Sequence, residues 1–220
     1  KGKLIVVVES VYSMDGDFAP LNDLIQLCEK YQAKLIVDEA HAVGIFGKKG
    51  RGRVDECNLN GKVFAQVVTF GKALGSHGAI VLGDELLRNY LINFSRSFIF
   101  TTSPTVHDLI SVKRVYDMLS VSSDKILKTR NLIDLFKQKI ESVSGLRILD
   151  SQSAIQSVII PGNEQVRRFS KRIQEAGFDV RPLVSPTVPS GTERVRICLH
   201  AFNTGEEILG LVDALKRAQE

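Results

Sequence analysis

The chain has 220 residues, of which 44% are hydrophobic and 25% are charged, a balance typical of a soluble globular protein with one large or two modest domains. No stretch reaches the roughly 18 uninterrupted apolar residues of a membrane-spanning helix, so the sequence predicts no membrane partner. The net charge of +4 comes from lysines and arginines scattered along the chain, which indicates solvated surfaces and no nucleic-acid partner.

The first half of the chain predicts strands that alternate with helices. A strand, a helix and a second strand are predicted in that order over 4–10, 21–32 and 34–40. This order indicates parallel strands joined by a crossover helix. Two further apolar runs, 63–70 and 78–83, are predicted to be strands buried on both faces. The connection between them is too short for a helical crossover, so we expect an antiparallel pair, with a helix following at 84–96.

The second half of the chain predicts long helices and then a second group of strands. Amphipathic helices are predicted over 106–120 and 122–143, where apolar residues recur every three or four positions. Strands and helices then alternate over 155–162, 164–177, 178–184, 195–201 and 206–218. The sequence therefore predicts an α/β protein, with part of a large domain and its mostly parallel sheet over 1–117 and a smaller α+β domain over 118–220.

Polar side chains stand at the ends of two of the predicted buried strands. Asp38 and Lys72 each close an apolar run, with His41 and Thr69 close by in sequence. A lysine that ends a buried strand can be partly desolvated, which frees its amine to form a Schiff base with an aldehyde. A carboxylate on the neighbouring strand can keep a pyridine nitrogen protonated, while a threonine hydroxyl suits a phosphate and a histidine nitrogen suits a phenolic oxygen. Together these residues predict a site for pyridoxal phosphate.

The same residues also have ordinary interpretations. The string VDEAH over 37–41 occurs in helicases, where its two carboxylates serve magnesium and water, but the sequence contains no phosphate-binding GxxxxGK[ST] string. A lysine in a glycine-rich turn is most often a solvated loop residue. The combination of Asp38 with Lys72, and neither residue alone, favours the cofactor site.

The cysteines and histidines carry no metal-binding pattern. Cys28, Cys57 and Cys198 are odd in number and widely separated, which fits neither a disulfide framework nor a zinc spacing. With four histidines in no cluster, we predict no metal site. Cys28 lies on a predicted amphipathic helix and Cys198 in the apolar run VRICLH, so both are expected to be small buried residues of a cytoplasmic protein.

Five motifs follow one another along nearly the whole chain. They are ESVYSMDGDFAPL, LIVDEAHAVGIFGKKGRG, VVTFGKALGSHGA, FIFTTSP and SPTVPSGTERVRICL. In content and order they resemble the α-oxoamine synthases, a branch of the fold type I pyridoxal phosphate enzymes. Within that family, the strings SAIQSVII and TVPSGTERVR most resemble the members that condense L-alanine with a pimeloyl thioester in biotin synthesis.

The resemblance implies a cofactor role for five matching residues. Lys72 would form the Schiff base with pyridoxal phosphate, and Asp38 would pair with the pyridine nitrogen. His41 and Ser13 would hydrogen-bond the region of the phenolic oxygen, and Thr69 would bind the phosphate. Ser13 also lies in a string that any tight turn can use.

The resemblance also implies a partner subunit and a substrate contact. Thr102, in FTTSP, would reach the phosphate bound by the partner subunit, which makes the enzyme a homodimer; alternatively, Thr102 caps the helix that follows. Arg196 would bind the α-carboxylate of the amino-acid substrate. Arg194 shares one face of the same predicted strand, so from the strand pattern either arginine could serve, and motif position favours Arg196.

The implied reaction is a decarboxylative condensation. Lys72 would take the α-proton of L-alanine, the resulting carbanion would attack the acyl thioester of coenzyme A or a carrier protein, and carbon dioxide would leave. His41 would act as an acid toward the thioester carbonyl. Two alternatives stay open: another amino acid and acyl donor, such as glycine with acetyl-CoA or serine with palmitoyl-CoA, and a noncatalytic scaffold.

The chain departs from the family pattern in two places. Family members carry an N-terminal part with a histidine that stacks on the cofactor and a loop that grips its phosphate, so we expect this chain to be a C-terminal fragment that is inactive alone. The family also commonly has Arg-Pro-Pro before TVP, where this chain has Val184, Ser185 and Pro186. Arg181 is a candidate substitute for the missing arginine.

Overall fold

The computed structural model describes residues 2–219, which form two compact units. The first unit runs to Val11 and continues over Phe18–Ile126, and the second consists of Tyr12–Asp17 and the chain from Leu127 onward. The short segment Tyr12–Asp17 thus belongs with the C-terminal part of the chain, although it lies in sequence between two parts of the first unit.

Four strands form the sheet of the first unit. In their order along the sheet they are β1 (Ile5–Glu9), β2 (Lys34–Asp38), β3 (Ala65–Thr69) and β4 (Ala79–Gly83). The first three strands are parallel, and β4 is antiparallel to β3. Helix α1 (Leu21–Tyr31) lies between β1 and β2 in the chain. The predicted parallel pair with its crossover helix and the predicted antiparallel strand are both confirmed.

The remaining helices of the first unit lie on either side of β3 and β4 in sequence. They are α2 (Arg53–Glu56), α3 (Glu85–Phe94), α4 (Arg96–Ile99) and α5 (Val106–Val121). The side chain of Asp84 accepts a hydrogen bond from the backbone at the start of α3, and Thr105 with Asp108 forms a capping box at the start of α5.

Helices α2 and α4 were not predicted, because a single turn shows no repeated apolar pattern. The predicted domain boundary after residue 117 falls within α5 and stays a prediction.

The first unit buries one part of its sheet and leaves another part open. Leu35 and Val37 of β2 are buried, as are Ala65 and Val68 of β3. Every residue of β4 is exposed, and no residue of α3, α4 or α5 is buried. The prediction that 78–83 is buried on both faces is therefore wrong for the chain over residues 2–219. An apolar run indicates that a strand can be buried. Burial also requires other helices or strands that cover that strand.

The second unit combines a small antiparallel sheet with three helices. The helices are α6 (Ser123–Ile140), α7 (Asn163–Glu175) and α8 (Gly205–Ala218). The strands are β5 (Arg147–Ile148), β6 (Ile155–Ile159), β7 (Arg181–Leu183) and β8 (Arg194–Cys198), arranged β5-β6-β8-β7 with every neighbouring pair antiparallel. Across residues 2–219, no helix is both long and apolar enough to cross a membrane.

The second unit closes its own hydrophobic core. All five residues of β6 are buried. Each helix and both central strands contribute apolar side chains with no exposed surface: Phe136, Val158, Val166, Ile173, Val195 and Leu215. Full burial of one such side chain contributes about 1.5–3 kcal/mol. These side chains are therefore the main source of stability that the structure shows for this unit.

Cys28 and Cys198 were both predicted to be buried, and the structure confirms this for one of them only. Cys28 is buried on the inner face of α1, as predicted. Cys198 is exposed at the end of β8, so the prediction that it is buried is wrong. Alternate residues of a strand point to opposite faces, and Ile197 takes the buried position beside it.

Candidate active site

Two neighbouring strands of the first unit end at the same edge of the sheet. Asp38 is the last residue of β2 and Thr69 is the last residue of β3, and these strands are parallel. His41 and Lys72 follow in the loops after the two strands. Ligands of α/β proteins bind at the carboxyl ends of parallel strands. This group of four residues, called the β2–β3 edge below, therefore lies where a ligand site is expected.

Lys72 and His41 contact each other at the β2–β3 edge. The Nζ atom of Lys72 lies 3.0 Å from the Nε2 atom of His41. A charged lysine amine has only donors, so in this arrangement it donates to Nε2 and the ring proton sits on Nδ1. Lys72 is exposed, so the desolvation expected from the sequence is not seen. Its amine is instead open to an incoming aldehyde, beside a ring nitrogen that can accept a proton.

The carboxylate of Asp38 is oriented by its own loop. Its Oδ1 atom accepts a hydrogen bond from the backbone N–H of Ala40 at 2.8 Å. Its backbone carbonyl accepts a second bond from the N–H of Ser10, also at 2.8 Å. The residue is half-buried. One carboxylate oxygen is thus fixed, and a negative charge at this position favours the protonated form of a ring nitrogen.

The hydroxyl of Thr69 is a buried polar group without a partner. No atom of residues 2–219 forms a hydrogen bond with its Oγ1. Leaving a buried hydroxyl unsatisfied costs about 1–3 kcal/mol. A phosphate oxygen would accept the hydrogen bond that this hydroxyl can donate.

Ser13 lies in the second unit, inside a tight turn. The backbone N–H of Tyr12 donates to the carbonyl of Asp17 at 2.9 Å, which closes the segment on itself. The hydroxyl of Ser151 holds the turn by donating to the carbonyl of Gly16 at 3.0 Å. The turn interpretation of Ser13 therefore agrees with the structure, and its contact with a cofactor stays a prediction.

The two candidate arginines of β8 have different surroundings. Arg194 is 5% exposed, forms an ion pair with Asp15, and donates from Nε to the carbonyl of Thr192 at 2.9 Å. Burial lowers the pKa of Arg194. Arg196 is half-buried, and its Nε atom is buried with no hydrogen-bond partner among residues 2–219. Arg194 is thus engaged within the fold, whereas Arg196 keeps a donor that a carboxylate can use.

Three other predicted residues form no polar contact with the described part of the chain, residues 2–219, that would place them in a site. Thr102 is exposed, and the expectation that it caps the following helix is wrong, because Thr105 forms that cap. Arg181 is exposed and forms an ion pair with Asp179 at 2.7 Å. Val184 is half-buried in the loop after β7. Their roles toward a substrate or a partner subunit stay predictions.

Two buried glutamates were not recognised in the sequence. Glu39 is 0% exposed and Glu193 is 2% exposed. Glu193 accepts hydrogen bonds from the backbone N–H groups of Gly162 at 2.8 Å and Gly191 at 2.9 Å, and the bond from Gly162 is the main reason that its pKa is lowered. Each glutamate directly adjoins a candidate site residue, Glu39 after Asp38 and Glu193 before Arg194, and that placement is the signal that could have identified it.

A cavity in the first unit lies away from the β2–β3 edge, and residues 2–219 contain no metal-binding cluster. This cavity of about 650 Å³ is lined by residues such as Lys34, Phe64 and Gly83 at the amino ends of β2 and β3 and the carboxyl end of β4. That edge is opposite to the β2–β3 edge. Within residues 2–219, no group of three or more histidine, cysteine, aspartate or glutamate side chains could hold a metal ion.

Comparison of sequences places residues 1–215 in a family model described as aminotransferase class I and II. The 8-amino-7-oxononanoate synthase of Emericella nidulans is 39% identical over 221 residues, which cover 96% of this chain and 54% of that protein. The 8-amino-7-oxononanoate synthase of Trichlorobacter lovleyi is 38% identical, with 98% of this chain and 56% of that protein covered. The chain spans about half the length of the curated relatives it matches.

Solved structures with the same fold include two synthases. The serine palmitoyltransferase of Sphingomonas wittichii superposes with a TM-score of 0.92 at 28% identity, over 99% of this chain and 55% of that chain. The 8-amino-7-oxononanoate synthase of Francisella tularensis superposes with a TM-score of 0.85 at 26% identity, over 98% of this chain and 63% of that chain. Other matching serine palmitoyltransferase structures contain pyridoxal phosphate.

Proposed function

The chain belongs to the aminotransferase class I and II family, and on that basis we propose that it is part of a pyridoxal phosphate enzyme that condenses L-alanine with a pimeloyl thioester. The product is 8-amino-7-oxononanoate, and coenzyme A or a carrier protein carries the acyl group. The named relatives at 39% and 38% identity support this choice of substrates. The observation that carries the chemistry is the 3.0 Å contact between Lys72 and His41 at the β2–β3 edge.

The residues at the β2–β3 edge fit pyridoxal phosphate. Lys72 offers an exposed amine, Asp38 a half-buried carboxylate and Thr69 a buried hydroxyl without a partner. An amine suits the aldehyde of the cofactor, a carboxylate suits its ring nitrogen and a hydroxyl suits its phosphate. When bound, pyridoxal phosphate supplies an aldehyde that bonds covalently to an amine and a ring that accepts the electron pair released at Cα.

Lys72 and His41 carry the proton transfers of the proposed reaction. With pyridoxal phosphate and alanine bound, Nζ of Lys72 would accept the proton from Cα of alanine. His41 would position that amine through Nε2, take the proton that the charged amine gives up there, and supply it to the thioester carbonyl oxygen. The new bond joins Cα of alanine to the carbonyl carbon of the thioester. The thiol would leave with the proton that His41 supplied, the former carboxylate would leave as carbon dioxide, and Cα would then take back the proton held by Lys72.

Substrate binding and assembly rest on residues outside the β2–β3 edge. Arg196 binds the α-carboxylate of alanine, a role supported by its unpaired Nε and by the ion pair that occupies Arg194. Ser13 contacts the phenolic oxygen of the cofactor. Thr102 reaches the phosphate of the cofactor bound by the partner subunit, so the active enzyme is a homodimer. The cytoplasmic location expected from the cysteine pattern is part of the same proposal.

A second candidate uses a different amino acid and acyl donor. It is favoured by the TM-score of 0.92 to a serine palmitoyltransferase, which exceeds the score to the solved 8-amino-7-oxononanoate synthase. In this alternative, L-serine and palmitoyl-CoA replace alanine and the pimeloyl thioester. The chemistry assigned to Lys72, His41 and Asp38 is the same.

The two candidates are tested by product analysis with the full-length protein. We expect L-alanine with pimeloyl-CoA to give 8-amino-7-oxononanoate by mass spectrometry, and Lys72→Ala to give none. The control is Lys49→Ala, which removes another exposed loop lysine and should leave turnover unchanged. Turnover by Lys72→Ala would contradict the proposed chemistry. Turnover of L-serine with palmitoyl-CoA, and none of L-alanine, would select the second candidate.

A further inference from the structure

Glu39 lies buried between two residues of the β2–β3 edge. It follows Asp38 directly, precedes His41 by two positions and has 0% of its surface exposed. Its backbone N–H donates to the carbonyl of Val67 at 2.8 Å, which extends the pairing of β2 with β3 beyond Asp38. Its side chain is buried, whereas Lys72 is exposed.

The carboxylate of Glu39 joins three segments of the first unit. One oxygen accepts from the hydroxyl of Ser10 at 2.7 Å and from the backbone N–H of Arg53 at 3.0 Å. The other oxygen accepts from the backbone N–H of Val54 at 2.6 Å. Backbone N–H groups are donors only, so a carboxylate satisfies them, whereas the NH₂ group of a glutamine would meet a donor.

The loop before α2 is shaped around this carboxylate. Gly52 has a φ of +107°, and a Cβ atom at this position would lie 2.8 Å from the side-chain Cδ of Glu39. Glycine is therefore required both by the backbone conformation and by the close approach. Burial raises the pKa of Glu39, while the hydrogen bonds from Val54, Ser10 and Arg53 act in the opposite direction.

The backbone of Glu39 also sets the turn that carries His41. The N–H groups of Ala42 and Val43 donate to the carbonyl of Glu39 at 2.9 and 3.0 Å. On the other side, Asp38 is oriented by the N–H of Ala40. A residue whose side chain is fixed at three points therefore fixes the backbone on both sides of it.

We propose that Glu39 is a positioning residue of the cofactor site, holding the Asp38 carboxylate and the His41 ring in the orientation that pyridoxal phosphate requires. This inference rests on the proposed function. Glu39 does not touch the cofactor and takes part in no proton transfer. Its effect is exerted through the backbone between Asp38 and His41, and burying its carboxylate costs stability that the three donors offset only in part.

The test compares Glu39→Gln with a matched carboxylate in the same unit. Asp55 accepts a backbone N–H from Lys48 at 2.8 Å and a side-chain N–H from Asn60 at 2.9 Å, but it does not adjoin the β2–β3 edge. The full-length protein is reconstituted with pyridoxal phosphate. Thermal stability, the Kd for the cofactor and the visible circular dichroism of the bound cofactor at saturation are measured.

We expect Glu39→Gln to weaken cofactor binding about tenfold, the lower range for loss of a residue that orients a ligand-binding side chain. The visible circular dichroism at saturation should also change, because the tilt of the bound ring follows Asp38 and His41. Asp55→Asn should lower thermal stability and leave both cofactor signals at their wild-type values. A purely structural role for Glu39 would move stability alone, and that result would overturn the inference.

Ser10→Ala is the second variant, because it removes one of the three donors and keeps the carboxylate. We expect a smaller change of the same two cofactor signals in the same direction. If Glu39→Gln yields no folded protein, a Ser10→Ala protein with wild-type affinity and wild-type circular dichroism overturns the inference. A wild-type protein that binds no pyridoxal phosphate would instead overturn the proposed function on which the inference rests.

Discussion

Strands β4 and β6 differ in burial although both are five residues long. The sequence of β4, AIVLG, contains no polar side chain, yet all of its residues are exposed. The sequence of β6, IQSVI, contains Gln156 and Ser157, yet all of its residues are buried. Hydrophobicity of the strand therefore does not decide burial here. What differs is whether helices and strands within the same unit cover the two faces.

The two units show the same contrast in burial. The second unit closes its core around β6 and β8, while the first unit carries the proposed chemistry at the carboxyl ends of β2 and β3. Several apolar side chains of α3, α4 and α5 are exposed together with β4, namely Leu86 at 78%, Phe98 at 60% and Val121 at 77%, and Phe100 directly after α4 is 77% exposed. An apolar surface of this extent marks an interaction surface or a source of aggregation. The structure thus indicates a closed unit and an open unit within one chain.

The largest effect is expected when residues 1–220 are produced alone. We predict no condensing activity and feeble affinity for pyridoxal phosphate. We also predict self-association, because burial of the open apolar surface stabilises the associated form by about 25 cal/mol per Å². Activity of the full-length protein is the reference, and light scattering measures the association. Changing Leu86 and Phe100 to serine should reduce self-association. A monodisperse 220-residue chain with tight cofactor binding and turnover would contradict the picture of an open unit.

Asp38→Asn should slow the proposed reaction and leave the stability of the first unit nearly unchanged. The amide is isosteric with the carboxylate, so the fold should be retained. Loss of the charge beside the ring nitrogen should slow exchange of the alanine α-hydrogen about 100-fold, the scale for removing one electrostatic contact to a developing charge. The exchange is measured by NMR in deuterated buffer, with Asp55→Asn as the control. Exchange at the wild-type rate in Asp38→Asn would exclude the assigned role.

A pair of valine substitutions tests the contrast between β4 and β6 directly. Val158 of β6 is 0% exposed, and Val81 of β4 is 49% exposed. In the 220-residue chain, Val158→Ala should reduce the free energy of unfolding of the second unit by about 2 kcal/mol through lost burial and a cavity. Val81→Ala should change stability by less than about 0.5 kcal/mol. Equal losses in urea unfolding would show that β4 is covered in solution.

The two arginines of β8 are expected to affect catalysis less than Asp38 does. Arg196→Ala should raise KM for L-alanine about tenfold or more with kcat less affected, since a hydrogen bond to a charged group contributes about 1.5–3 kcal/mol. Arg194→Ala should instead lower stability by about 1–3 kcal/mol, because Asp15 loses its partner. Steady-state kinetics and thermal unfolding measure the two quantities. The opposite assignment of the two effects would make Arg194 the carboxylate ligand.

The sequence is sufficient to predict the parallel pairing of β1 with β2, the antiparallel pairing of β3 with β4 and the position of the β2–β3 edge. Asp38 and Lys72 stand directly after apolar runs, and short connections restrict how consecutive strands can pair. The contact between Lys72 and His41 follows once both loops leave the same edge of the sheet. These features depend on local pattern and on chain connectivity, which a single sequence records.

The features that the sequence did not reveal depend on distant parts of the chain. Glu39 receives hydrogen bonds from Ser10 and from the start of α2, and no local pattern connects these segments. The difference between Arg194 and Arg196 arises from Asp15, which lies near the other end of the chain. The sequence pattern also could not predict that 78–83 is exposed, because the apolarity of a strand does not indicate which other elements are present to cover it.

The central claim is that Lys72 at the β2–β3 edge holds pyridoxal phosphate covalently. The most direct measurement is borohydride reduction of the full-length protein loaded with the cofactor, followed by proteolysis and mass spectrometry of the peptides. We predict that the reduced cofactor is found on the peptide that contains Lys72 and that Lys72→Ala carries none. Recovery of the modification on another lysine, or on Lys72→Ala protein to the wild-type extent, would contradict the claim.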